Sequence, residues 1–170
     1  MIVRPETPSD YADIRRIVDA AFGDTITGDL VEQIRRTDRY VPDLSLVAVS
    51  EGQSLGHVMS SYVDLVPGTR RVLQVGPLAV APAFQRRGVG TALMEETIRR
   101  ADERGEPLLL IEGNPAYYGR FGFRRADEHG IDAPPEARAP QFFMLRPLRG
   151  YDPSLTGRAV YPAETFGGVS

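Results

Sequence analysis

Two short stretches of the 170-residue chain combine residue types and spacings that could do chemistry. The first is Gln85-Arg86-Arg87-Gly88-Val89-Gly90-Thr91, a loop with two glycines and two arginines that opens directly into a helical pattern. Gly88 and Gly90 lack side chains, so an anion can approach the backbone closely there. The free N–H groups of a starting helix point outward where its dipole favours negative charge. Arg86 and Arg87 add charge-assisted donors beside that cradle. A bare G-x-G has another reading, a helix packed tightly on a strand. The preceding strand pattern, the paired arginines and Gln85 favour the phosphate cradle. The second stretch runs from Asn114 to Phe123 and contains the adjacent phenols Tyr117 and Tyr118.

Composition removes several alternatives. The chain has no Cys and two His, which excludes a thiolate nucleophile, a thiolate zinc site and cysteine redox chemistry. All twenty basic residues are Arg, so neither a Schiff-base lysine nor a P-loop lysine is available. A formal net charge of −3 lacks the basic excess of a nucleic-acid binder. No apolar run approaches the ~20 residues needed to span a bilayer, and the sequence begins without a signal-peptide core. The expectation is a cytoplasmic protein with no metal, no nucleic-acid partner and no membrane attachment.

The elements that must hold these stretches follow from periodicity. Ile2 to Arg4 reads as a short strand ending at Pro5. A helix follows from Thr7 and Pro8, with Tyr11, Ile14, Val18, Ala21 and Phe22 on one face up to Gly23. A second helix starts near Thr27 and fades at Thr37 to Arg39. Leu44 to Val49, Leu55 to Val66 and Arg71 to Val80 read as an antiparallel meander, its first hairpin at Glu51-Gly52-Gln53. From Val89 the period changes to 3.6 as far as Gly105. Leu108 to Ile111 is an unbroken apolar run, the pattern of a strand covered on both faces and reached by a parallel crossover. A short helix at Pro115 to Arg120, a strand from Phe123 and a last strand from Phe142 to Leu148 complete the order, with Ala133 to Pro140 as a loop. These elements predict a single α/β domain over residues 1–148, and residues 149–170 as a tail packed on it. Gly76-Pro77 falls inside the third meander strand. Proline has no N–H for a ladder, so a bulge or a parting of strands is expected there, with backbone groups of Leu78, Ala79 and Val80 left unpaired.

A dinucleotide fingerprint needs a third glycine, G-x-G-x-x-G, where Leu93 stands, and it belongs on a first βαβ unit; here the motif follows a helical pair and a meander. The pattern Gln85-Arg86-Arg87-Gly88-Val89-Gly90 instead resembles the Q/R-x-x-G-x-G/A loop of the GNAT superfamily of acetyl-CoA-dependent N-acetyltransferases. Leu78-Ala79-Val80 is similar to that family's strand before the loop. Asn114-Pro115-Ala116-Tyr117-Tyr118-Gly119-Arg120-Phe121-Gly122-Phe123 is similar to its N…A…Y…GF segment, with a shorter Asn-to-Tyr spacing. The resemblance covers residues 1 to about 148. It implies an N-terminal helix pair, a meander and a βαβ crossover with a V-shaped split between the central strands. It further implies acetyl-CoA as cosubstrate, its arm added along Leu78, Ala79 and Val80 as an extra strand and its pyrophosphate held by Gln85 to Thr91. Asn114 and Arg120 are implied as further contacts and Tyr118 as the general acid. The implied reaction is direct attack of an unidentified amine on the thioester in a ternary complex, by a monomer or homodimer. Many members carry Glu eleven residues before the loop glutamine, where this chain has Gln74. Glu112, Asp64 and His57, directly or through a water chain, are the candidate substitutes, and the alternative is a substrate that arrives already neutral; His57, mid-strand, also reads as a packed structural residue. The rival function is a non-catalytic acyl-CoA binding or sensing domain.

Overall fold

The structure, a computed structural model, describes residues 1–163. Its sheet runs in the order β1 (Ile2–Pro5), β2 (Tyr40–Ser50), β3 (Gln53–Val66), β4 (Arg70–Val80), β5 (Leu108–Glu112), β8 (Phe143–Pro147) and β6 (Arg124–Arg125). The expected meander is β2–β3–β4, antiparallel throughout, and its first turn places both Glu51 and Gly52 at positive φ, the geometry that suits a two-residue hairpin. α3 (Val89–Glu103) carries the chain from β4 back to β5, which lies parallel to β4. The α/β class, the N-terminal helices α1 (Tyr11–Phe22) and α2 (Ile26–Arg35), and the crossover all match the expected order.

Both faces of the sheet are covered, which explains the alternation along β2. Leu46 and Ala48 pack beneath α3 with Val89, Leu93 and Met94, whereas Val47 between them packs beneath α1 and α2 with Ile14, Val18 and Ile34. Towards the other end of that second face the cover changes. Leu155, Ala159 and Tyr161 lie there against Val72, Leu110 and Phe143. The second face therefore has a seam between the helix pair and the C-terminal segment.

That segment holds the main departure from the sequence reading. Gly157–Val160 is a strand, β9, antiparallel to the end of β3 and parallel to the two-residue β7 (Ile131–Asp132), not part of a surface tail. Its glycine- and proline-rich context hid the pattern: only Ala159 and the following Tyr161 turn inward, too few positions to show a period. Residues 164–170 lie outside the described residues. The strand expected from Phe123 is only Arg124–Arg125, while Phe123 itself is fully buried.

The parting at Gly76-Pro77 takes the expected form. Against β3, Val58 faces Leu78 and Ser60 faces Val75, so Gly76 and Pro77 together oppose the single residue Met59: a bulge on β4. Against β5, pairing stops at Val75–Ile111. Leu78, Ala79 and Val80 keep β3 as partner on one side and, among the described residues, have no strand on the other. Their expected unpaired groups are confined to that free edge, and β4 and β5 splay into a V.

Candidate active site

Each motif residue is held at the mouth of this V by local structure. The loop after β4 bends because Arg86 and Gly88 both adopt left-handed backbone, φ 64° and 84°, and Gly88 is the N-cap of α3. Gln85 closes the bend, its Nε2 donating to the Val80 carbonyl at 3.1 Å. In the first turn of α3 the N–H groups of Val89, Gly90 and Thr91 have no carbonyl a turn earlier to bond, and they face the bend. A Cβ at Gly90 would come 2.7 Å from the Tyr117 phenol oxygen.

A groove of about 650 Å³ starts at this bend and follows the free edge of β4. The bend supplies Gln85, Arg86, Gly88, Gly90 and Thr91, and the strand supplies Leu78, Ala79 and Val80. Arg120 borders it, over the Tyr117 ring at 4.5 Å and with Nη2 3.5 Å from Thr91 Oγ1. Three other sequence-predicted residues are placed differently. Arg87 turns over Phe84, Val89 faces the core beneath α3, and Asn114 caps α4 (Pro115–Tyr118) by accepting the Ala116 N–H at 2.9 Å. Asn114 thus positions the helix that carries Tyr118. Ala21, Phe22 and Tyr117, none of them expected, also line the groove.

A second cavity, about 390 Å³, opens beyond the V on the seam side and shares Phe22 and Leu78 with the groove. Tyr118 stands in its wall, edge-on to Tyr117 at 4.9 Å and to Phe123 at 6.1 Å between ring centroids. Burial, with the neighbouring Tyr117 adding to it, pushes the Tyr118 phenol up to about 12, so it keeps its proton at neutral pH. The cavity also holds Glu112, Gln74 and Tyr161. Gln74 Nε2 donates to the Tyr161 hydroxyl at 2.9 Å, and that hydroxyl donates to Glu112 Oε2 at 3.4 Å. Burial raises the Tyr161 phenol as well.

Of the three bases named from sequence, only Glu112 lies in this cavity. Asp64 is engaged by both terminal nitrogens of Arg39, each at 3.0 Å. His57 is fully buried beneath the helix pair, its Nε2 2.9 Å from Glu6 and 3.1 Å from Ser45 Oγ. Burial lowers the His57 imidazole, leaving it neutral. Burial would raise Glu6, but its bonds with His57, Arg35 and Ser45 outweigh that and hold it ionised. This cluster ties β1, β2, β3 and α2 together, the structural role a mid-strand histidine suggests. Among the described residues no group of three or more His, Asp or Glu could hold a metal ion, and no helix is long and apolar enough to cross a membrane.

A glycine bend feeding a groove along a parted strand is the arrangement that comparison with known proteins decides. Residues 2–126 match the family model of the acetyltransferase (GNAT) domain. The chain belongs to the GNAT family. It is therefore an acyltransferase. The uncharacterized N-acetyltransferase YjhQ of Escherichia coli is 33% identical over 165 residues, 92% of this chain and 91% of YjhQ. The uncharacterized N-acetyltransferase YhbS of the same organism is 32% identical over 132 residues, 77% of this chain and 78% of YhbS. Among solved structures, YhbS in complex with CoA superposes with a TM-score of 0.86 at 26% identity, covering 96% of this chain and 90% of that one. A GNAT acetyltransferase of Brucella melitensis in complex with acetyl-CoA superposes with a TM-score of 0.78 at 28% identity, covering 96% of each. The family-model match stops at residue 126, so Tyr161, which lines the second cavity, lies beyond it.

Proposed function

We propose that the chain transfers the acetyl group of acetyl-CoA to a primary amine by direct attack within a ternary complex. The observation that carries this reading is the meeting of two cavities at the V: a groove along the free edge of β4 with the first-turn amides of α3 at its far end, and a separate chamber containing a carboxylate and a protonated phenol. The CoA and acetyl-CoA held by the two structural neighbours support it.

In this reading the diphosphate lies on the amides of Gly88 to Thr91 with Gln85 and Arg86 beside it, and Arg120 borders the same end. The pantetheine arm adds to the free edge of Leu78, Ala79 and Val80. The thioester then reaches the chamber. Glu112 takes a proton from the amine, directly or through the Tyr161 hydroxyl bonded to it. The nitrogen lone pair attacks the thioester carbon, and backbone N–H near Leu78 stabilises the oxygen as it gains charge. Collapse breaks the C–S bond, the leaving thiolate takes the Tyr118 proton, and the acylated nitrogen passes its remaining excess proton to the Tyr118 phenolate, leaving an amide, free CoA and a protonated Glu112 that returns its proton to solvent. Gln74, in the strand where many members carry Glu, accepts no proton; its role is to hold Tyr161. The reading carries with it a cytoplasmic setting and a monomer or homodimer.

The test is thiol release from acetyl-CoA across an amine panel, with acetyl-CoA affinity measured in parallel by calorimetry. Tyr118→Phe and Glu112→Gln should each lower kcat by roughly 10²-fold or more while leaving affinity within about threefold. Acetyl-CoA binding without release of thiol to any amine would favour a sensing domain. Failure to bind acetyl-CoA would remove both readings.

A further inference from the structure

The chamber's lining restricts what can occupy it. Its walls are apolar: Phe22, Leu30, Val75, Pro77 and Ile111. Among the described residues Glu112 is the one charged side chain that lines it, and no Arg or His does. Glu112 Oε1 already accepts the Arg138 backbone N–H at 3.0 Å, with the Arg138 guanidinium 3.6 Å away, which leaves Oε2 towards the chamber. Gln74 supplies the second observation. It is 4% exposed, its Nε2 is committed to Tyr161, and its Oε1 is buried with no hydrogen-bond partner among the described residues. A buried acceptor in that state costs free energy unless an occupant donates to it.

Resting on the acetyl-transfer reading above, we infer that the acceptor is a small primary amine on an uncharged, apolar body, its nitrogen held by Gln74 Oε1 and the Glu112 carboxylate. A primary ammonium that gives one proton to Glu112 keeps two N–H groups, one of which satisfies Gln74 Oε1. Its lone pair is then free for the thioester. The apolar body fills the space between Phe22, Leu30 and Ile111. A second ammonium would be desolvated against these walls with no counter-charge. An acceptor carboxylate would face Glu112 with no lining cation to receive it.

Size-matched pairs test this with the full chain. Hexylamine and 1,6-diaminohexane differ by one ammonium, and 2-phenylethylamine and phenylalanine by one carboxylate. We expect each added charge to lower kcat/KM by about 10²-fold, as for a pocket that leaves a charge uncompensated. A charged member within threefold of its neutral-bodied partner overturns the assignment of class while leaving acetyl transfer standing. Acetyl-CoA binding with no turnover of any of the four overturns this inference, whereas the transfer reading falls only if the whole amine panel releases no thiol. A variant supplies an independent arm. Thr27 lines the chamber in the first turn of α2, where a carboxylate also suits the helix dipole, so Thr27→Asp should fold. It should raise kcat/KM for 1,6-diaminohexane relative to hexylamine by about tenfold, the effect of one added counter-charge near a desolvated ammonium. No change in that ratio would place the far end of the acceptor outside the chamber and refute the inference.

Discussion

Gly113 is the position where a single methyl group should separate the roles argued for Tyr118. Gly113 is buried between the end of β5 and α4, and the Tyr118 ring lies directly on its backbone. A Cβ at Gly113 would overlap Tyr118 Cε2 and stand 2.7 Å from Cδ2 and 3.4 Å from Cζ. Carbon atoms pack at about 3.5–4.0 Å, so the ring must retreat by about 1 Å. It cannot retreat freely, because Tyr117 and Phe123 both meet it edge-on. Gly113→Ala asks nothing unusual of the backbone, since Gly113 is absent from the positive-φ glycines. The strain of the displaced ring should cost ~1–3 kcal/mol of stability. A misplacement of ~1 Å at a reacting group costs on the order of 10²-fold in rate, so kcat for thiol release should fall by that factor. Acetyl-CoA affinity, set at the other end of the groove, should hold within about threefold. The decisive measurement is the double variant. If the loss comes from moving the phenol, Gly113→Ala in the Tyr118→Phe background should cost only about threefold more, because the group it displaces no longer donates a proton. A folded Gly113→Ala enzyme turning over within twofold of the parent would refute the placement of Tyr118 at the leaving group.

Two further expectations concern the frame. His57→Leu removes one of the partners of buried Glu6 and should cost ~1–3 kcal/mol, visible as a Tm lower by several degrees, with kcat unchanged; a 10²-fold drop in kcat in a folded variant would return His57 to the catalytic candidates. Asp10 is gripped by Arg4 through two bonds of 2.8 and 3.0 Å, burial opposing and the Thr7 N–H assisting, and its carboxyl is lowered to about 2. A carboxyl depressed in the folded state contributes stability that is fully present above its unfolded value and is lost as pH falls through about 2. Asp10→Asn should therefore flatten the acid limb of stability between about pH 4 and 2 by at most ~2 kcal/mol, less what solvent screens at Arg4, whose side chain is 40% exposed. Denaturant titrations across that window check it, and an unchanged acid limb would show that the ion pair contributes nothing.

How much of this was legible in the sequence depended on range. The glycine bend, the parting at Gly76-Pro77 and the α3 crossover are set by neighbours within a few residues: a proline lacking an N–H, a glycine taking positive φ, a change of period from 2 to 3.6. Each could be read locally, and each stands in the structure where it was expected. The free edge of β4 was legible for the same reason, although the sequence did not reveal which of its two sides would open.

The chamber was not legible, and the reason is physical. Its polar residues converge from β4, the end of β5 and the segment after β9, so Gln74 and Tyr161 meet across 87 positions of chain. No periodicity links them, and Tyr161 sits among glycines and prolines that mark turns rather than strands. Yet Gln74 did carry a signal of its own. A glutamine in the apolar run Val72-Leu73-Gln74-Val75 of a buried strand must find hydrogen-bond partners for a whole amide, and the nearest backbone is already committed to the ladder. Such a residue implies a distant side chain, a ligand, or both. Here it has one of each kind of atom accounted for differently: the amide nitrogen by Tyr161, and the oxygen by nothing in the described chain. If the substitution of Glu by Gln at this strand position merely disabled a base, the unsatisfied oxygen would be a cost without return. On the proposed acetyl-transfer reading an acceptor donates to that oxygen, and Glu112, at the end of the neighbouring strand, is the base.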